Sequence, residues 1–117
     1  MLPELLIKNS ESRVLRSLIV QNGACTVGRE PGCNIVLPSP EISRDHSAFT
    51  HSAQHGVLTV EDHHSKNGTF VNGLQVRRSV LYAGDVVRSI GNYEIVVRHG
   101  SSGPQRMHTA QARFLAD

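Results

Sequence analysis

Residues 86–98 read VVRSIGNYEIVVR. Apolar side chains recur in this stretch at every second position, since Tyr93, Ile95 and Val97 alternate with other residues and a similar alternation precedes them. A period of two is typical of a β-strand with one buried face. The dipeptide Gly91-Asn92 between the two runs is a two-residue hairpin signal. The stretch therefore predicts a pair of antiparallel strands.

Short apolar runs and turn residues alternate in the same way along most of the chain. The dipeptides Asn22-Gly23, His55-Gly56 and Asn72-Gly73 each separate two such runs and predict a hairpin, and Ala83-Gly84-Asp85 opens the penultimate strand. Turn residues recur at intervals of about eight to twelve positions, and no helical stretch lies between the strands. The pattern predicts an all-β fold, a β-sandwich or barrel of about ten to eleven short strands, rather than βαβ units.

The domain boundary is expected near residue 99. A chain of 117 residues is long enough for one domain with a single hydrophobic core, and we place this domain at residues 1–99. Residues 100–117 begin with glycine, serine and proline, which predicts a linker. The segment from Gln105 to Ala116 could form a short helix with three apolar residues on one face. Such a helix could pack on the sandwich, lead to a further domain or stay disordered.

Composition excludes several classes of function. The formal net charge is only +2, the basic residues are scattered, and two Tyr, three Phe and no Trp leave little for base stacking, so nucleic acid is not an expected partner. No apolar stretch approaches the roughly 20 residues that span a membrane, and the first residues do not resemble a signal peptide. Cys25 and Cys33 are more typical of free thiols than of a disulfide framework. We expect a cytoplasmic domain that is monomeric in isolation.

Polar residues suited to an anion are concentrated at three places. Gly28-Arg29 is followed by Ser43-Arg44-Asp45-His46 and then by residues 65–73, which read SKNGTFVNG. A planar arginine fork, hydroxyl groups, an asparagine amide and flexible glycine backbone can together hold a phosphate and the chain that bears it. Ser43 and His46 lack an orienting acid and an oxyanion hole at recognisable spacing, so they do not predict a hydrolase. These residues indicate a binding module rather than an enzyme.

The ordered set of motifs over about residues 20–97 resembles the forkhead-associated (FHA) domain family, which binds phosphothreonine. The matching pieces are TVGRE at 26–30, NIVL at 34–37, ISRDHS at 42–47, VED at 60–62, SKNGTFVNG at 65–73, Leu81, Gly84-Asp85 and Ile90. The resemblance implies an eleven-stranded β-sandwich whose loops at one end form a phosphopeptide site. It also implies a phosphorylation-dependent adaptor without cofactors, whose partner is a phosphothreonine-containing product of a Ser/Thr kinase.

The resemblance assigns expected roles to individual residues. In the family, the arginine at the position of Arg29 contacts the phosphopeptide, the serine at Ser43 contacts phosphate, and the asparagine at Asn67 clamps the peptide main chain. Lys66 departs from the serine or threonine of many members, and Ser65 could supply the hydroxyl instead. The expected phosphopeptide-binding residues are therefore Arg29, Ser43, Arg44, Ser65, Lys66 and Asn67. The expected site-shaping residues are Gly28, His46, Gly68, Thr69, Asn72 and Gly73.

Two other interpretations remain open at this point. One is an FHA-like domain that docks a folded partner through its sheet face, independently of phosphorylation. The other is a metal site, because four histidines lie close to Asp62 in the sequence: His51, His55, His63 and His64. Their spacing fits no zinc pattern and no cysteine joins them, so we predict no metal.

Overall fold

The computed structural model describes residues 2–89 and 92–102. These residues form eleven strands and contain no helix. The strands are β1 Glu4–Lys8, β2 Val14–Ile19, β3 Gly23–Gly28, β4 Ile35–Val36, β5 Ser47–Ser52, β6 Val57–Asp62, β7 Thr69–Val71, β8 Leu74–Val76, β9 Arg78–Leu81, β10 Val86–Ser89 and β11 Glu94–Arg98. The predicted all-β fold is confirmed, whereas the possible C-terminal helix over 105–116 lies outside the described residues.

The strands form two sheets that enclose one apolar core. One sheet has six strands in the order β2-β1-β11-β10-β7-β8, and the other has five in the order β4-β3-β5-β6-β9. All recorded pairs are antiparallel except β3 with β4. Buried residues on alternate positions line the space between the sheets, among them Leu5, Val27, Phe49, Leu58, Val60, Val71, Leu81, Val87, Ile95 and Val97.

Most of the predicted hairpins are present. Strands β10 and β11 pair with Val87 opposite Ile95, which confirms the predicted pair of strands, whereas a two-residue loop at Gly91-Asn92 would have placed Val87 opposite Val96. Asn72 and Gly73 join β7 to β8 and have φ values of 50° and 88°. Two successive residues in the left-handed region are typical of the type I′ turn that favours Asn-Gly. The turn at His55-Gly56 likewise joins β5 to β6.

The hairpin predicted at Asn22-Gly23 is wrong. Strand β2 lies in the six-stranded sheet and β3 lies in the five-stranded sheet, so the chain crosses between the sheets at this point. The Asn22 side-chain oxygen accepts a hydrogen bond from the Ala53 amide at 2.9 Å, and thus holds the crossing against the turn between β5 and β6. An Asn-Gly dipeptide specifies a change of direction, but it does not specify which strands then pair.

The first residues of the predicted linker are attached to the domain. The Ser101 amide donates to the Leu81 carbonyl at 2.8 Å, and the Ser101 hydroxyl oxygen accepts a bond from the Leu58 amide at 2.9 Å. The Ser102 amide donates to the Gly56 carbonyl at 2.8 Å. These contacts attach residues 101 and 102 to the domain, while the domain boundary at residue 99 stays a prediction.

The two cysteines are free thiols. Cys25 is buried, and burial raises the pKa of its thiol, while the nearby Arg16 partly opposes this effect. A thiol of this kind is a packing residue rather than a reactive nucleophile. The part of the chain that the structure describes has no helix long and apolar enough to cross a membrane.

Candidate functional site

Three loops meet at one end of the sandwich. The first follows β3 and begins with Arg29, the second joins β4 to β5, and the third joins β6 to β7. Main-chain hydrogen bonds attach the first loop to the second, from the Arg29 amide to the Ser43 carbonyl at 3.0 Å and from the Glu30 amide to the Arg44 carbonyl at 3.2 Å. Main-chain hydrogen bonds therefore join the first two loops independently of any side chain.

Gly28 permits the close approach of the first two loops. A Cβ atom added at this position would overlap the carbonyl oxygen of Arg44 and would also reach the Cys33 sulfur. The φ angle of Gly28 is not positive, so space rather than backbone conformation requires glycine here. The close contact is consistent with the expected role of Gly28 as a site-shaping residue.

His46 connects the second loop to the third. Its side chain is fully buried, its Nδ1 accepts a hydrogen bond from the Ser43 amide at 3.1 Å, and its Nε2 lies 2.7 Å from the Gly68 carbonyl oxygen. Because Nδ1 is the acceptor, the ring proton lies on Nε2 and is donated to Gly68. The imidazole is thus a fixed brace between two loops that are 22 residues apart in sequence.

Arg29 is held by one edge of its guanidinium and faces solvent with the other. Its Nε donates to the Ile42 carbonyl at 3.0 Å, and the residue is exposed. Within residues 2–89 and 92–102, no recorded hydrogen bond or ion pair uses its terminal amino groups. The fork is therefore oriented by the protein and keeps donors for an external anion.

The Ser43 hydroxyl has a similar arrangement. Its oxygen accepts a hydrogen bond from the Lys66 amide at 2.9 Å, which fixes the side chain against the third loop. A hydroxyl group has one proton and two lone pairs, so accepting this bond leaves the proton available to donate. The third loop thereby presents Ser43 as a hydrogen-bond donor.

Asn67 is anchored to the same segment as Arg29 and Ser43. Its Nδ2 donates to the Glu41 carbonyl at 2.8 Å, across a separation of 26 residues. That bond assigns the amide orientation and leaves Oδ1, together with the second N–H, for another partner. Arg29 and Asn67 are thus both bonded to residues 41–43, which include Ser43 and which we call the platform segment.

Ser65 and Thr69 are organised by a carboxylate. The Asp62 Oδ1 atom accepts bonds from the Ser65 hydroxyl at 2.5 Å and the Thr69 hydroxyl at 2.7 Å. The Ser65 oxygen in turn accepts from the Gly68 amide at 3.0 Å. The only proton of the Ser65 hydroxyl is therefore already used, which places Ser65 with the residues that shape the loop rather than with expected phosphate donors.

The pKa of Asp62 reflects this arrangement. Partial burial acts to raise the pKa of the carboxyl group, but the hydrogen bonds from Ser65 and Thr69 oppose it, and the pKa lies below its usual value. The ionised carboxylate is thus the form that holds the third loop in place.

Of the remaining predicted residues, Arg44 and Lys66 lie on the second and third loops, whereas Asn72 and Gly73 lie elsewhere. Arg44 and Lys66 are exposed, and no ion pair of either is recorded in the described part of the chain. Asn72 and Gly73 lie at the other end of β7 from the third loop, where the Asn72 side chain bonds to Asp85 and to the Val86 amide. The structure therefore does not bring Asn72 and Gly73 together with the other site residues.

The histidines of the described residues do not form a cluster of metal ligands. Among residues 2–89 and 92–102, no group of three or more His, Cys, Asp or Glu side chains could hold a metal ion. His63 instead pairs with Asp45, with Nδ1 2.8 Å from Oδ1, and its Nε2 lies 3.8 Å from a Glu61 oxygen. This pairing links the second loop to the end of β6.

Sequence analysis missed two features of the site. The platform carbonyls of Glu41 and Ile42 receive Asn67 and Arg29, but main-chain acceptors leave no mark in a sequence. Asp62 lies three residues before Ser65, and its Oδ2 also accepts from the Ser65 amide at 3.1 Å. An aspartate that bonds to nearby backbone at this spacing is a recognised turn signal, which could have identified it.

Comparison with known proteins gives the same family as the motifs. The sequence pattern that defines the FHA domain matches residues 25–89, more than half of the chain. The chain belongs to the FHA domain family. FHA domains are interaction modules, not enzymes.

Two curated relatives show the extent of the sequence similarity. The ABC transporter ATP-binding/permease protein Rv1747 of Mycobacterium tuberculosis is 35% identical over 91 residues, which cover 78% of this chain and 10% of that protein. The glycogen accumulation regulator GarA of Mycolicibacterium smegmatis is 34% identical over 96 residues, covering 82% of this chain and 58% of GarA. The chain spans only about a tenth of the length of the first curated relatives that it matches.

Solved structures agree with the fold. The FHA domain of FhaA, complexed with the intracellular domain of Rv3910, superposes with a TM-score of 0.72 at 31% identity and covers 82% of this chain and 99% of that domain. A second structure, from work on phosphothreonine-dependent FHA domain interactions, has a TM-score of 0.70 at 30% identity and covers 86% and 98%. The expected family and sandwich architecture are confirmed.

Proposed function

We propose that this FHA domain binds phosphothreonine peptides in the pocket formed by Arg29, Ser43 and Asn67. The domain is a phosphorylation-dependent protein–protein interaction module, and its partners carry phosphothreonine. One observation carries the assignment of the pocket. The Arg29 and Asn67 side chains donate to carbonyls of the platform segment 41–43, Ser43 lies in that segment and accepts from the Lys66 amide, and each of the three side chains keeps a donor that these bonds do not use.

The phosphate group is held by the first two of these residues. A phosphothreonine carries about −1.5 to −2 charges and three strong acceptor oxygens at neutral pH. The terminal amino groups of Arg29 supply charge-assisted bonds in a planar geometry, and Ser43 donates its hydroxyl proton to another oxygen. Because the Ile42 carbonyl and the Lys66 amide already orient these groups, little side-chain freedom is lost on binding.

Asn67 binds the main chain of the peptide next to the phosphorylated residue. A peptide bond offers one donor and one acceptor, and the Asn67 amide retains both kinds of group after its bond to Glu41. This contact makes the site selective for a phosphate that is carried on an extended chain rather than for free phosphate.

Lys66 and Arg44 act mainly through charge. Both are exposed and are not recorded in ion pairs within the described ranges, so they add positive potential around the pocket. The potential raises the rate of association with an anionic peptide and decreases with salt. Ser65 acts as a brace for the third loop, because Asp62 and Gly68 use its hydrogen-bonding groups.

The expected affinity follows from the number of charge-assisted bonds. Three or four such bonds, at roughly 1.5–3 kcal/mol each, amount to about 4.5–12 kcal/mol, and low-micromolar binding, at about −7 to −9 kcal/mol, lies within that range. An unphosphorylated threonine offers none of these acceptor oxygens. The module is thus switched on by the kinase that modifies its partner.

We also propose that the chain has no catalysis of its own. His46, which follows Ser43 by three residues, uses both ring nitrogens, with the Ser43 main-chain amide on Nδ1 and the Gly68 carbonyl on Nε2. It contacts the backbone of Ser43 rather than the hydroxyl oxygen, so it is not placed as a general base.

A cytoplasmic location is part of the same proposal and is supported by the two free thiols. A fluorescent fusion found outside the cytoplasm would contradict it.

The proposal is tested by titrating the domain with matched peptides. A peptide containing phosphothreonine should bind with low-micromolar affinity, and the same peptide with threonine should bind at least about 100-fold more weakly. Phosphatase treatment of a captured partner should abolish the interaction. Equal binding of treated and untreated partner would instead support docking through the sheet face, which the comparisons do not favour.

A further inference from the structure

Strand β2 is an edge strand with an exposed apolar surface. It pairs only with β1, so the opposite side of its backbone has no strand partner among the described residues. Val14, Leu15 and Ile19 are exposed to 50%, 52% and 45%. Half of the large exposed hydrophobic side chains in the described part of the chain lie on this strand.

The other sheet edges are much better protected. Strands β4, β8 and β9 contain two, three and four residues, whereas β2 contains six. Short or charged edges are the usual means by which proteins avoid pairing with other chains. The single charged residue of β2, Arg16, donates from Nη1 to the Asn34 carbonyl at 3.0 Å, so its head is held against the other sheet.

A bulge confines the pairing-competent part of the strand. Arg16 lies opposite Ile7 and Val14 lies opposite Lys8, so the register on β1 skips Leu15. A bulge blunts an edge locally. From Arg16 to Ile19 the register on β1 is regular. Leu15, the residue that the register skips, directly precedes this regular segment.

We propose that β2 pairs with β2 of a second copy of this chain to form a two-fold symmetric dimer. A two-fold axis perpendicular to a sheet makes the two strands antiparallel and pairs residues of the same face. An axis at Ser17 places Leu15 opposite Ile19 of the second copy and Arg16 opposite Leu18. Two exposed apolar side chains are then covered in each half of the interface.

Charge repulsion favours the register with its axis at Ser17 over the register with its axis at Arg16. An axis at Arg16 would put two arginines directly opposite one another, and like charges in that position are destabilising. With the axis at Ser17, two small hydroxyl residues meet at the centre. Beside the strand lies a cavity of ≈ 240 Å³, whose walls combine apolar residues such as Leu18 and Ile19 with the polar residues Arg16, Gln21, Asn22 and Asn34. The strand is thus complementary to itself, which identifies a second copy as the occupant.

The dimer would carry two phosphopeptide sites, since none of the pocket residues lies on β1 or β2. Two linked sites bind a target with two phosphothreonines more tightly than a single site does. That consequence rests on the proposed function, whereas the pairing itself does not. The inference also departs from the monomer that we expected from the sequence.

Sedimentation equilibrium on the full chain tests the pairing without any ligand. From about 10 µM to about 1 mM, the mass should rise from one toward two chains of 12.8 kDa, because small interfaces are weak. Leu15→Lys should keep the mass of one chain at every concentration and should bind a phosphopeptide with unchanged 1:1 affinity. A urea unfolding midpoint equal to that of the wild type shows, independently of any ligand, that the variant is folded.

A cysteine at Ser17 tests the register. In a Cys33→Ser background, Ser17→Cys should form an intermolecular disulfide under mild oxidation, because directly opposed residues lie about 4.5–5.5 Å apart. Arg78→Cys, on the edge strand β9, is the matched control and should react at least about ten times more slowly. Equal cross-linking of the two variants, a wild-type mass that stays at one chain, or a dimer that survives Leu15→Lys would each overturn the proposal.

Discussion

Replacing Arg29 with alanine should separate peptide binding from folding. The side chain is exposed, and its one recorded intramolecular bond joins Nε to the Ile42 carbonyl. Losing that bond should lower the free energy of unfolding by no more than about 1 kcal/mol. The two terminal amino groups, by contrast, are expected to make two charge-assisted bonds to phosphate.

The magnitude follows from those two bonds. Each is worth roughly 1.5–3 kcal/mol when well formed, and exposure to solvent screens part of this energy. We therefore expect Arg29→Ala to weaken binding by about 2–3 kcal/mol, which is roughly 30-fold to 150-fold in Kd. Calorimetric titration of one phosphothreonine peptide into both proteins measures this difference, and urea unfolding of each measures stability.

Two further variants distinguish geometry from charge. Arg29→Lys keeps the charge but loses the planar fork, and should still lose about 1–2 kcal/mol of binding free energy. Arg44→Ala removes the same charge from the adjacent loop and should cost less than about 1 kcal/mol, with a loss that shrinks at high salt. If Arg29→Ala bound as tightly as the wild type, or if both alanine variants lost equal affinity, the assigned role of Arg29 would be wrong.

Three other predictions follow from the loop contacts. His46→Ala removes a fully buried ring and leaves two backbone groups unpaired, so it should lower stability by about 2–4 kcal/mol in urea unfolding and weaken peptide binding as well; unchanged binding would show that the brace is dispensable. Gly28→Ala should cost about 1–3 kcal/mol because its Cβ meets the Arg44 carbonyl, whereas Gly32→Ala, with open space around it, should stay within about 0.5 kcal/mol in the same assay. Because the folded-state pKa of Asp62 is lowered, its contribution to stability is present above the unfolded-state pKa and is lost as pH falls through the folded-state value. The difference in urea midpoint between wild type and Asp62→Asn should therefore be largest near neutral pH and shrink below about pH 4; a difference that grows in acid would contradict this.

The elements of the fold could be predicted because their signals are local. The alternation of Ile95 and Val97 with less buried neighbours identifies a strand with one face in the core, whatever lies beside it. Asn72-Gly73 identifies a hairpin because both residues adopt positive φ. The pairing of strands was less predictable, as Asn22-Gly23 shows, because an identical dipeptide here carries the chain from one sheet to the other.

Part of the candidate site could likewise be predicted from the sequence, and part could not. Its residue types stand at recognisable positions in the sequence, and the motifs predict Arg29, Ser43 and Asn67 as binding residues. Ser43 and Ser65 are chemically identical in the sequence, yet one keeps its proton for a ligand while the other gives its proton to Asp62. That distinction depends on partners rather than on residue type.

By itself, the sequence determined the strands, most of the turns and the set of polar groups at one end of the domain, because a short stretch of chain is enough to encode each of them. Only the tertiary structure decided which strands share a sheet and which donors remain unused. The hydrogen bonds that decide which donors remain unused join residues far apart in the sequence. The separations are 22 positions for His46 and Gly68, 23 for Lys66 and Ser43, and 26 for Asn67 and Glu41. A hydrogen-bond donor can serve a ligand only if folding has not already paired it, and that pairing is a property of the folded chain.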